Sequence, residues 1–187
     1  MKAPNESGRY ARASILLHWL MVLIIAAVYA AIEFREFWPK GSDIREGFKE
    51  WHFMLGLSVF GLVWIRIMAR LVWPAPAPLA DPPWRRLIAA LAHFALYLLM
   101  IGMPLAGWLV LSAEGKLIPF FGLELPPLIA PNEGLAETVE ALHELGGTIG
   151  YWLIGLHAAA ALFHHYVLKD KLLLRMGSAA PRRATLS

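Results

Sequence analysis

Seven histidines, His18, His52, His93, His143, His157, His164 and His165, are the side chains of this chain best suited to chemistry, and two of them share an informative spacing. His143 and His157 stand fourteen residues apart. At 100° per residue that falls about 40° short of four helical turns, so both rings leave one helix from the same face. Their separation along the axis is about 21 Å. Imidazole is an axial ligand of haem iron, and this distance suits two haems stacked one in each leaflet of a bilayer. Each haem then needs a second imidazole at the same depth on another helix. His52 opens a second apolar segment on the side where His143 lies, and His18 sits near the level of His157. The expected pairs are His52 with His143 at the outer side and His18 with His157 at the inner side.

The neighbours of these residues admit two readings each. Gly146 and Gly150 follow His143 on its own face, where they either make room for a flat macrocycle or let helices pack closely. Arg66 and Arg70, four residues apart, either pair with haem propionates or extend to lipid phosphates. His164 shares the face of His157 but lies roughly 10 Å further along, near the inner interface. With His165 it is expected at a quinone head group or a haem propionate. His93 can do the same or simply hydrogen-bond a neighbouring helix.

Positioning these groups falls to four apolar segments, about residues 14–34, 53–73, 87–111 and 145–168, each near the ~20 residues that cross a bilayer. Hydrophobic residues make up 58% of the chain and charged ones 17%, which departs from soluble domains toward membrane proteins. The fold class expected is therefore all-α and integral to the membrane: a single domain over residues 1–187 with four transmembrane helices, two haems between them and a disordered tail at 177–187. Four spans leave both termini on one side. With the termini in the cytoplasm, twelve of the 17 lysines and arginines lie inside and five outside, a positive-inside asymmetry. Lys2, Arg182 and Arg183 are among the twelve; Arg35, Lys40, Arg45, Lys49 and Lys116 are the five. Most of the eight tryptophans form an interfacial belt.

Composition also excludes. No cysteine is present, which removes disulfides, iron–sulfur clusters, thiolate-bound zinc and thioether-linked haem. The net charge of +3 is distributed by loop, so it reflects topology and not nucleic-acid binding. A cleaved leader is disfavoured because the first apolar run is longer than a signal peptide needs.

The run Leu156-His157-Ala158-Ala159-Ala160-Ala161-Leu162-Phe163-His164-His165-Tyr166, with Lys169-Asp170 and Leu174-Arg175-Met176 after it, resembles the fourth helix of bacterial di-haem cytochrome b561 proteins. Leu17-His18-Trp19 and Tyr97-Leu98-Leu99 leading to Pro104 extend the resemblance over about residues 9–177. It implies a bacterial cytoplasmic-membrane bundle with two haem b groups, its ligands falling on His18, His52, His143 and His157. The superoxide oxidase branch of that family implies one-electron oxidation of superoxide to dioxygen at the periplasmic side and reduction of ubiquinone. Arg35, Lys40 and Lys116 would then steer a small anion to the outer haem. The rival within redox chemistry is a haem-bearing anchor subunit that relays electrons from a dehydrogenase or hydrogenase to quinone. A rival outside it is a transporter or assembly factor whose histidines only bridge helices. Expected partners are lipid, quinone and superoxide; a second copy of the chain or a redox subunit is compatible with either redox reading.

Overall fold

A computed structural model describes residues 9–76, 82–170 and 172–177. Lys2, Pro78, Lys171, Arg182, Arg183 and the tail from 178 onward lie outside the described residues. The order is α1 (Arg12–Phe34), a short 3-10 turn (Arg35–Phe37), α2 (Asp43–Val72), α3 (Pro83–Ala113), β1 (Ile118–Phe120), β2 (Leu123–Leu125), α4 (Glu133–Tyr166) and α5 (Leu172–Arg175). Four of these helices are long and apolar enough to cross a membrane. The chain is a multi-pass membrane protein of the four-helix class that the sequence predicts.

Two helices start well before their apolar segments. Ser42 accepts a hydrogen bond from the backbone N–H of Arg45, and Asp43 and Glu46 occupy the first turn, so α2 begins at Asp43 and not at residue 53. Asn132 does the same for α4 through Leu135, twelve residues before the apolar stretch. Hydrophobicity marks only the part of a helix that meets lipid, whereas caps and charged helix-formers carry the helix beyond it. Pro83 opens α3, where its missing N–H costs nothing. Pro104 lies inside α3, a position membrane helices tolerate.

The helices pack in sequence, α1 on α2, α2 on α3 and α3 on α4. Among the described residues no Cα of α1 or α2 comes within 8 Å of α4. A slot therefore runs between the α1–α2 pair and α4. Met21, Val59 and Val63 form the tightest apolar contact, with Ile24, Tyr97 and Met100 around them. Because lipid is as apolar as these side chains, close packing holds the helices here, rather than the expulsion of water. Leu16, Leu23 and Trp152 are about 70% exposed, as expected of lipid-facing positions.

The loop after α3 contains a feature the sequence reading did not anticipate. β1 and β2 pair antiparallel through Phe120 and Leu123, joined by Phe121 (φ 48°) and Gly122 (φ 83°). Positive φ at both central residues is the twist-matched hairpin turn. Phe121 tolerates it because its ring packs on Trp51 and its N–H meets the Met54 sulfur at 3.3 Å. At the opposite end the two ends of the described chain are tied together: Tyr10 N–H donates to the Arg175 carbonyl at 3.3 Å, and Arg9 donates to the carbonyls of Leu174 and Gly177. These are called the hairpin end and the terminal end below.

Candidate functional site

Across the slot, α4 presents His143 to His52 of α2 and His157 to His18 of α1. The ring centroids are 6.1 Å apart in the first pair and 6.4 Å in the second, with the planes near perpendicular. A metal–imidazole bond of about 2 Å, with the ring centre roughly 1 Å behind the nitrogen, puts two imidazoles on opposite faces of one metal about 6 Å apart. Both pairs have that separation. Among the described residues no group of three or more His, Asp or Glu could hold a bare ion, so two imidazoles make a complete site only with equatorial donors from a macrocycle. A cavity opens around the His52–His143 pair, where the residues fit haem, and the His18–His157 pair has the same ring spacing.

The second ring nitrogen of His52 supports the same use. Nδ1–H of His52 donates to the Val28 carbonyl at 3.0 Å, which leaves Nε2 as the lone-pair nitrogen. Nδ1 of His143 is buried near the Met103 backbone but outside hydrogen-bond geometry. Gly107 of α3 gives this ring its room: a Cβ there would stand 3.3 Å from Cε1 of His143. Sequence reasoning missed Gly107, since nothing in the order of residues says which α3 position faces α4.

At the terminal end the structure brings a third imidazole to the pair. His93 lies 5.5 Å from His157, centroid to centroid, and its Nδ1–H donates to the Ala89 carbonyl at 2.6 Å. The sequence predicts for His93 a quinone or propionate contact or a hydrogen bond between helices, not a place beside His157. The 6.4 Å spacing of His18 suits a shared metal better than 5.5 Å does, so His93 stands as a neighbour of the pair. Arg66 donates to the Ser14 carbonyl at 3.4 Å, one turn from His18, and Ser14 Oγ is buried without a hydrogen-bond partner. The Arg66 guanidinium is the cation here that would pair with a carboxylate such as a propionate. Arg70 instead lies over the Tyr10 ring, 5.9 Å from its centre. His164 hydrogen-bonds Asp170, while His165 packs against Tyr166 with its Nδ1 buried and unpartnered.

The glycines of α4 serve close approach. A Cβ on Gly146 would meet the Met103 sulfur of α3 at 2.5 Å, and one on Gly150 would collide with the Tyr29 hydroxyl of α1. Around the His52–His143 pair lies a cavity of about 410 Å³. Arg35 and Lys116 line it and Lys40 does not; Lys49 is there instead. Four carboxylates, Glu33, Glu114, Glu140 and Glu144, share the lining with those three cations. Arg35 is paired with Glu36 and Lys116 with Glu114.

Paired imidazoles facing one another across a slot in a membrane helix bundle define a b-type membrane cytochrome. The prokaryotic cytochrome b561 family matches residues 9–179, and the chain belongs to that family of membrane electron-transfer proteins. It is 38% identical over 177 residues to cytochrome b561 homolog 1 of Escherichia coli, covering 94% of this chain and 99% of the relative. It is also 38% identical to the probable superoxide oxidase CybB of Yersinia pestis, over 90% of this chain and 95% of the relative. Cytochrome b562 of Cereibacter sphaeroides is 31% identical over 92% and 96%.

Proposed function

We propose that this chain is a di-haem cytochrome of the bacterial cytoplasmic membrane that oxidises superoxide at the periplasmic side and reduces ubiquinone. The observation that carries the haem assignment is the pair of facing imidazole sets, one toward each end of α4. His52 and His143 hold one haem b, and His18 and His157 the other, with the hairpin end periplasmic and both termini cytoplasmic. Held between these histidines, haem would supply outer-sphere electron transfer. The superoxide assignment draws support from the relative named a probable superoxide oxidase.

The chain's own residues have the following parts. Val28 orients His52 through its carbonyl, and Gly107 leaves the His143 ring free to align. Arg66 would receive a propionate at the terminal end. Arg35, Lys49 and Lys116 draw the anion toward the hairpin-end cavity. Two superoxides, one quinone and two protons yield two dioxygens and one quinol.

The test is purification of the chain alone with its haem, followed by superoxide decay and quinol formation. Two superoxides lost per quinol formed, at a rate near the diffusion limit, is the expected result. A chain that carries haem but leaves superoxide untouched, and reduces quinone only with a dehydrogenase or hydrogenase present, is the relay subunit instead. A colourless chain sinks both readings.

A further inference from the structure

A cation at the mouth of a cavity steers an anion only while its side chain is held there. We infer that Arg45 is a positioning residue: from outside the cavity it holds Arg35 at the hairpin-end mouth, where a small anion approaches. This rests on the reading above that an anion delivers its electron at that end.

Among the described residues Arg45 is the one buried charged residue, with 8% of its side-chain surface exposed. A guanidinium is costly to take out of water unless its N–H groups find acceptors. All the acceptors it finds belong to one segment, the turn that follows α1. Nη1 of Arg45 donates to the carbonyls of Arg35 at 3.0 Å and Trp38 at 3.1 Å, and Nη2 donates to Oε1 of Glu36 at 2.9 Å. The same Glu36 oxygen accepts from Nε of Arg35 at 2.8 Å. Arg35 is thus held at two points, directly by its carbonyl and through Glu36 by its guanidinium.

Arg35 needs that hold because it stands where α1 ends. It opens a 3-10 turn of three residues, too short to fix a side chain by its own hydrogen bonding. Arg35 lines the cavity around His52 and His143, and Arg45 does not. Charge follows the same geometry. One carboxylate shared by two guanidiniums leaves the group net positive, whereas Glu36 and Arg35 alone would make a neutral pair. Arg45 therefore keeps Arg35 both placed and uncancelled. The competing role is a brace that only closes the loop between α1 and α2.

The test uses the haem-loaded protein, reduced and then mixed with an anionic oxidant, ferricyanide, or a cationic one, tris(phenanthroline)cobalt(III). Each takes one electron from the haem, and neither depends on superoxide chemistry. Arg45→Lys keeps the charge but lacks the fork that reaches two carbonyls and Glu36 together; Arg45→Met removes both. Each variant should keep wild-type haem content, slow ferricyanide at least about threefold at low salt, and not slow the cobalt complex. Backbone hydrogen exchange in residues 35–38 should quicken. In an Arg35→Gln background neither substitution should slow ferricyanide further. A wild-type ferricyanide rate in Arg45→Lys, equal slowing of both oxidants, unchanged exchange, or a further loss in the Arg35→Gln background overturns the proposal. So does loss of haem in both variants, because that marks a brace of the fold. A protein that leaves superoxide untouched overturns the parent reading alone, since the two oxidants still show whether Arg45 places Arg35.

Discussion

The ring of His143 is placed as much by what α3 lacks as by what α4 supplies. Gly107 leaves the ring a space that any larger side chain would enter. Gly107→Val should therefore displace the imidazole and lower haem content toward one per chain, as read from a haem-to-protein ratio. His143→Ala and His157→Ala should each remove a different haem. The reduced-minus-oxidised spectrum should then halve in both variants, with two distinct residual bands. Two haems surviving in either variant would reject that ligand. At the other end His93 stands 5.5 Å from His157 without matching the spacing of a shared metal. It is a neighbour that residue type alone could not distinguish from a ligand.

At the scale of elements, α4 is the rail on which both sites depend, and its register is set far from them. Asn132 begins the helix eleven residues before His143, so every ligand angle follows from a start made outside the apolar stretch. Asn132→Ala and Ser42→Ala each remove a cap worth about 1 kcal/mol. The expected result is a fall of a few degrees in melting temperature with an unchanged haem spectrum. A spectral change would mean that the cap also fixes the register of the ligands. The hairpin between α3 and α4 closes the same end: Ile118 contributes to the cavity wall and packs with Leu57 and Leu111.

For the molecule as a whole, the decisive fact is that, among the described residues, α3 is the one long helix whose backbone comes within 8 Å of α4, Cα to Cα, while α1 and α2 reach α4 through side chains. Flat groups held in the slot would join α4 to α1 and α2, so binding and folding are linked. Protein made under haem starvation should melt at lower temperature and be cut by protease more readily than loaded protein. Added haem should restore both. On the proposed function, the cavity's charges, three cations against four carboxylates, would make steering of an anion such as superoxide a local effect. The rate of superoxide loss should fall with salt, by less than about tenfold over the usual range. A rate independent of salt would remove Arg35, Lys49 and Lys116 from the mechanism.

What the sequence determined by itself follows from periodicity and hydrophobic length. Four spans, and His143 and His157 on one helical face, are properties of single segments, and hydrophobic length with 3.6 residues per turn suffices to read them. Depth counting also nominated His18 and His52 as partners, because a membrane helix converts residue number into height. Only the tertiary structure decided what lies beside what. It set Gly107 against His143, His93 beside His157, Lys49 in place of Lys40 at the cavity, and Glu33 on the hydroxyl of Tyr151. Those relations depend on the rotation of each helix about its own axis and on which helices are neighbours. In a bilayer every outward face is apolar, so the hydrophobic pattern that orients a helix in water carries little information, and packing alone fixes the angle.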